Sequence, residues 1–152
     1  MEKYVISLDT SLSNTGYCVF DTKGNPLKIG SIATKSKNSH GERLKIIADV
    51  LSDLRHQYDI DVAVFERGFT RYNNSTQALF KTIGVANYIF HDCKTIYYSP
   101  ATIKKIVGGH GHMKKAELRG IIEKKYSVSF ENDDQSDSFA VGLCYFIEAG
   151  II

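Results

Sequence analysis

Residues 4–9 read Tyr-Val-Ile-Ser-Leu-Asp, and residues 16–21 read Gly-Tyr-Cys-Val-Phe-Asp. Both runs are short, apolar and supplied with β-branched or aromatic side chains, which is the composition of strands in a buried sheet. After the second run, Thr22-Lys23-Gly24-Asn25-Pro26 carries three strong turn formers. Residues 27–33 then return as a third strand. The chain therefore opens as an antiparallel meander, and its first strand ends on an acid, Asp9.

Beyond the meander the apolar pattern changes period. Over residues 41–58, Leu44, Ile47, Ala48, Leu51, Leu54 and Tyr58 fall on one helical face. Residues 61–66 form a short apolar strand that ends on Glu66. Helical spacing resumes over 75–91, a strand follows at 94–98, and a short helix with Pro100 near its start covers 99–107. Gly108-Gly109-His110-Gly111 interrupts it, and helices fill about 113–126 and 134–149. A strand meander followed by alternating strand and helix implies an α/β fold, a mixed five-stranded sheet flanked by helices on both faces. That order resembles the ribonuclease H-like fold. No repeat or linker divides the chain, so residues 1–152 are expected to form one domain.

Composition narrows the functional classes. There is no apolar run of membrane-spanning length, which excludes an integral helix. Met1 to Leu8 is too short, and with Glu2 too polar, for a secretion leader. Cys18, Cys93 and Cys144 are odd in number and lack ligand spacing, so reduced thiols in or near the core of a cytoplasmic protein are expected. The formal net charge is only +2, but seven Lys/Arg against two Glu lie between Ile103 and Lys125. Acids gather elsewhere, at Glu131, Asp133, Asp134 and Asp137. A basic surface beside an acidic cluster suits a protein that attracts phosphate and holds a cation near it.

Four acids carry the chemistry. Asp9 and Glu66 stand at strand ends, where α/β sheets hold ligands. Asp134 and Asp137 are three apart near the start of the last helix, and so share one face. Each has a plainer reading alone: Asp9 as a loop cap, Glu66 in a surface ion pair, Asp134 as an acid at a helix N-terminus. Asp137 lies one turn too far in for capping. Together, four convergent carboxylates cannot all stay ionised without a counter-charge. Oxygen-only ligands favour a hard divalent ion, Mg²⁺ with Mn²⁺ as substitute. Two such ions about 3.5–4 Å apart would clamp the attacking and leaving oxygens of phosphodiester hydrolysis.

At these residues the chain resembles the RuvC family of Holliday-junction resolvases. Asp9 followed by Thr15-Gly16-Tyr17 is similar to the family's opening. Glu66-x-x-Phe69-x-x-x-Asn73 resembles the segment carrying its second acid. Lys104-x-x-Val107-x-Gly109-x-Gly111-x-x-x-Lys115 resembles its basic glycine loop, and Asp134-x-x-Asp137-Ser138-Phe139-Ala140 its terminal helix. The match is colinear over residues 4–148. Asp9-Thr10-Ser11 replaces the usual Asp-Pro-Gly, Ser138-Phe139-Ala140 replaces Ala-Leu-Ala, and the chain is short, which points to a phage or mobile-element branch.

The resemblance implies a Mg²⁺-dependent crossover junction endodeoxyribonuclease, active as a homodimer on branched DNA. Asp9, Glu66, Asp134 and Asp137 become its metal ligands, and Lys115 completes the catalytic set at the scissile phosphate. Lys104, with Lys105 and Lys114, would lie along the DNA backbone. Phe69, in a polar segment with Arg71 and Tyr72, would contact an unpaired base; from its own sequence, Phe69 fits the core as well. His110 and His112 suit phosphate contact better than metal. A phosphate loop of the Walker type fails, because Met113 stands where glycine is needed.

Other functions fit less well. A nuclease for RNA–DNA hybrid usually ends its fourth strand in Asp, not Glu. An actin-like kinase needs a second, duplicated domain. A non-catalytic module binding branched DNA would not need all four acids.

Overall fold

The structure, a computed structural model, describes residues 2–67 and 73–152. Phe69, Arg71 and Tyr72, expected to contact DNA, lie outside the described residues.

Five strands, β1 (Tyr4–Asp9), β2 (Asn14–Asp21), β3 (Pro26–Ala33), β4 (Ile60–Glu66) and β5 (Lys94–Tyr98), form one sheet in the order β3-β2-β1-β4-β5. The meander pairs antiparallel, while β4 and β5 run parallel to β1. The parallel half requires crossovers, supplied by α1 (His40–Gln57) and α2 (Asn73–Ile89). A short helical turn α3 (Pro100–Ile103) leads directly into a π-helical turn, Lys104–Gly108. The last helices are α4 (Lys115–Tyr126) and α5 (Asp133–Glu148).

The mixed five-stranded sheet with helices on both faces is the α/β, ribonuclease H-like architecture expected. Ile6, Leu8, Ala63 and Phe65 bury one face under α1 and α2, against Ile47, Leu51, Leu54 and Ala86. Val5, Cys18, Phe20, Val62 and Val64 bury the other face under α4 and α5, against Leu118, Ile122, Phe139 and Leu143. Side chains alternate along a strand, so β1 and β4 each feed both cores. Cys18 and Cys144 are buried and Cys93 half-buried, all as free thiols.

Two boundaries differ from the sequence reading, each for a local reason. Strand β2 begins at Asn14 rather than 16, because Thr15 is fully buried and its hydroxyl donates to the Ser11 carbonyl at 2.6 Å. Helix α4 begins at Lys115 rather than 113, because Met113 is packed in the core with its sulfur against Gly108. Lys114 is the extended N-cap residue.

Candidate active site

Strand alternation decides where the first two acids point. On β1, Val5 and Ser7 face α5, so Asp9 does too; on β4, Val62 and Val64 face α5, so Glu66 does too. The register pairs Leu8 with Phe65 across parallel strands, which puts Asp9 and Glu66 side by side at the C-terminal ends of two interior strands. Their carboxyl groups are close enough to act on each other directly.

Helix α5 brings the other two. Asn132 is its N-cap, with its side-chain oxygen accepting from the Gln135 N–H at 2.9 Å, while Gln135 Oε1 accepts from the Glu131 N–H at 3.0 Å. This reciprocal arrangement is close to a capping box. The helix then lies hard against the sheet. The Ser7 hydroxyl donates to the Ser138 carbonyl at 2.6 Å, inside the core. A Cβ at Gly142 would run into the Phe20 ring, and one at Gly16 into the backbone carbonyl of Asp134. Only glycine on β2 and on α5 permits this approach, and it carries Asp134 and Asp137 over the end of β1.

Lys115, the first residue of α4, donates to Asp137 with Nζ 2.6 Å from Oδ2. The Lys115 side chain is 66% exposed and that of Asp137 only 14%, so a solvent-facing ammonium covers a sunken carboxylate. Asn14 at the start of β2 donates from Nδ2 to Asp134 Oδ2 at 2.6 Å. Glu66, Lys104, Lys115 and Asp137 line a small cleft of about 20 Å³.

The electrostatics follow from this crowding. Burial pushes the Asp9 carboxyl up to about 9, helped by the adjoining Glu66 carboxyl and by the charge of Asp137. Burial raises Asp134 as well, with Asp137 adding to it. Asp137 is also raised by burial, although its hydrogen bond to Lys115 works against the shift. That hydrogen bond holds the Lys115 ammonium above its usual value, so it stays charged.

The four acids expected from sequence thus come together with Lys115, and Lys104 borders the same cleft. Lys105 and Lys114 are exposed nearby in the chain but make no described contact with the acids. His110 and His112 are exposed on the glycine loop. Arg119, counted in the basic stretch, is already engaged: it binds Glu123, Asp133 and the Phe130 carbonyl. Sequence reasoning missed Asn14 and Ser7, and it took Gly16 only as part of the family's opening. The Asn132-x-x-Gln135 pattern could have located the start of α5, but nothing local marks Gly16 as a helix contact.

Do these residues suit a divalent cation? Among the described residues no three acidic, histidine or cysteine side chains meet at one ligand point as they stand, since Asp137 is turned to Lys115 and Asp134 to Asn14. The donor set nevertheless fits: oxygen donors only, on three elements, with Asp9 driven toward the neutral form by burial and by its acidic neighbours. A hard cation would supply the charge that this cluster lacks. A wider recess of about 420 Å³ lies at the other end of the sheet, among Arg55, His56, Tyr88 and His91, with no acid in its lining.

A mixed sheet in this order, with acids ending its first and fourth strands and a terminal helix bringing two more, defines a ribonuclease H-like protein with a carboxylate centre. The model of one family, Crossover junction endodeoxyribonuclease RuvC, matches residues 5–145. Among similar proteins, the crossover junction endodeoxyribonuclease RuvC of Ehrlichia canis is 32% identical, covering 93% of this chain and 94% of its own. That of Ehrlichia chaffeensis is 34% identical with the same coverage. The chain belongs to the RuvC family. In three dimensions it is similar to Thermus thermophilus RuvC solved with a Holliday junction substrate, at TM-score 0.87 and 19% identity over 96% of this chain and 94% of that one. A second Thermus thermophilus RuvC structure superposes at TM-score 0.85, with 18% identity over 97% of this chain and 96% of that one.

Proposed function

We propose that this chain is a crossover junction endodeoxyribonuclease that hydrolyses a phosphodiester in four-way DNA junctions. The observation that carries this reading is the crowding of Asp9 with Glu66 and Asp137 beneath Lys115, with Asp134 beside Asp137 on α5, in a chain of the RuvC family. We read the four acids as ligands for divalent cations, Mg²⁺ with Mn²⁺ as substitute, two per site. Bound there, the ions would activate water and neutralise the phosphate.

The chain's own groups do the rest. Asp9 and Glu66, fixed on adjacent strands, form the rigid half of the site, and Asp134 and Asp137 close it from α5. Lys115 is held over the cleft by Asp137, where it meets an incoming phosphate and stabilises the extra charge of the transition state. Lys104 on the cleft's rim, with Lys105 and Lys114 beyond it, would hold the strand's backbone. Phe69, with Arg71 and Tyr72, would contact the unstacked bases at the crossover. One nuclease domain over residues 1–152 suffices for this.

Two symmetry-related strands must be cut, and one chain carries one site, so the working unit is a two-fold homodimer. We assign the contact to α2, where Phe80 is 61% and Tyr88 77% exposed, in one stripe with the uncrowded Gly84 between them. Among the described residues no helix is long and apolar enough to cross a membrane. A cytoplasmic location fits this, with the three thiols free. We assign the Thr10-Ser11 and Ser138-Phe139 departures to a phage or mobile-element branch.

The test is one comparison of substrates. A four-way junction, a Y-fork, a linear duplex and an RNA–DNA hybrid are offered with and without Mg²⁺. Cleavage of the junction above all, and only with the metal, is the expected result. Preferential cleavage of the hybrid would move the protein to the ribonuclease H activity. Binding of junctions without cleavage under any divalent metal would make it a binding module.

A further inference from the structure

We infer that Asn14 is a positioning residue for Asp134, one that sets the affinity of the metal centre; this rests on the reading of Asp134 as a ligand. Asn14 and Gly16 are two apart on β2 and face α5 together. Gly16 yields space to the Asp134 backbone, and Asn14 grips the Asp134 side chain, with Nδ2 2.6 Å from Oδ2. Only the amide nitrogen can make this bond, because an ionised carboxylate has no hydrogen to donate. One carboxylate oxygen is thereby held, and the other is left to a cation.

Two features separate this from ordinary structural use of an asparagine. Helix α5 has no need of Asn14 as a cap, since Asn132 already serves the Gln135 N–H. The amide's other end is also left over: Asn14 Oδ1 is buried with no hydrogen-bond partner among the described residues. A side chain placed to satisfy local backbone would use both ends, and a buried unmatched acceptor is costly. Asn14 forgoes that and commits its donor to Asp134.

The loop that presents Asn14 is itself braced. Thr15 Oγ1 closes it by bonding the Ser11 carbonyl and accepting from the Ser11 N–H. The Thr34 hydroxyl donates to the Leu12 carbonyl, and the Ser13 carbonyl accepts from the Thr34 N–H at 3.0 Å. Arg43, only 7% exposed, donates to Thr34 Oγ1 at 2.8 Å and to Ser13 Oγ at 3.2 Å. Asn14 therefore reaches Asp134 from a fixed point, which is what an outer group needs in order to orient a ligand.

The experiment measures Mn²⁺ uptake by the protein alone, from the electron paramagnetic resonance signal of free Mn²⁺, with no DNA present. Asn14→Ala is expected to weaken binding by about 10–100-fold, the usual effect of losing a group that orients a ligand. Its single-turnover junction cleavage should recover toward wild type at saturating metal, and its junction binding in EDTA should be unchanged. Asp134→Asn should weaken Mn²⁺ at least as much, and the double variant no further, because Asn14 acts through Asp134. If Asn14→Ala bound Mn²⁺ as wild type does while Asp134→Asn lost it, the positioning role would fall and the metal site would stand. If Asp134→Asn, or the wild-type chain, gave no sign that Asp134 matters to Mn²⁺, the site reading would fall and this inference with it. Asn14→Ser, too short to reach Asp134, provides the same measurement should alanine unfold the chain; unfolding by both would make Asn14 a structural residue and end the proposal.

Discussion

The two ends of the parallel strands treat acids in opposite ways. Where β1, β4 and β5 begin, acids meet cations at the surface. Lys3 pairs with Asp59 at 2.8 Å, and Arg55 with Asp92 at 2.6 Å. The Arg55 guanidinium holds the Asp92 carboxyl down at about 2. Where β1 and β4 end, acids meet acids, and burial with Glu66 alongside pushes Asp9 up to about 9. The same residue type is thus displaced in opposite directions within one chain. At the first end the chain's own cations match the acids, and at the second they match them only in part.

Changes at the strand ends should break this contrast most visibly. Asp9→Asn or Glu66→Gln should lower junction cleavage by more than about a hundredfold, while the variants still fold and still bind junctions in EDTA. Near wild-type cleavage by Asp9→Asn, measured under single turnover, would remove Asp9 from the site.

Next comes Lys115, the cation paired with Asp137 at the crowded end. Lys115→Ala should reduce the single-turnover rate by about 10–1000-fold and junction affinity by much less, because its charge is needed most in the transition state. Equal losses in rate and affinity would make Lys115 a binding residue only.

Stability against pH sharpens the comparison. Asp9 is raised in the folded chain, so the folded state holds a proton that the unfolded state has released. Its contribution is therefore present below the usual aspartate value of 3.8 and is lost as pH climbs toward about 9. In EDTA the melting temperature should fall by about a few degrees between pH 6 and pH 9, and Asp9→Asn should flatten that slope. Mg²⁺ should restore the loss at pH 9. Asp92 has the opposite sign: its contribution is present above 3.8 and is lost as acid takes the pH toward 2. A wild-type slope at high pH that Asp9→Asn left unchanged would place its origin elsewhere.

The smallest effect belongs to the surface pairs. Asp92→Asn should shift the melting temperature by about 2 °C at most and leave cleavage untouched, since exposed ion pairs contribute little. A cleavage defect in Asp92→Asn would mean that the two ends are coupled.

Much of this is legible along the chain. Apolar runs and their period reveal all five strands and the main helices, because burial on one face or two imposes a local repeat on the residues themselves. The acids are legible for a related reason: a charged side chain closing an apolar strand, as at Asp9 and Glu66, is a local oddity. Alternation along β1 and β4 even implies which face they take.

What the chain cannot disclose by itself is contact across distance. That Gly16 must lack a Cβ because Asp134 lies against it, that Ser7 donates to the Ser138 carbonyl, and that Asn14 holds Asp134 all depend on residues about 120–130 positions apart becoming neighbours. By its own surroundings in the chain Lys115 is one lysine among several; α4 sets it on Asp137. Sequence alone determined which elements form and which faces they bury, since hydrophobic periodicity and strand-end chemistry are properties of short segments. Only the tertiary structure decided which acids share a field and what holds each one, because a carboxylate's surroundings are set by how closely α5 can approach the sheet.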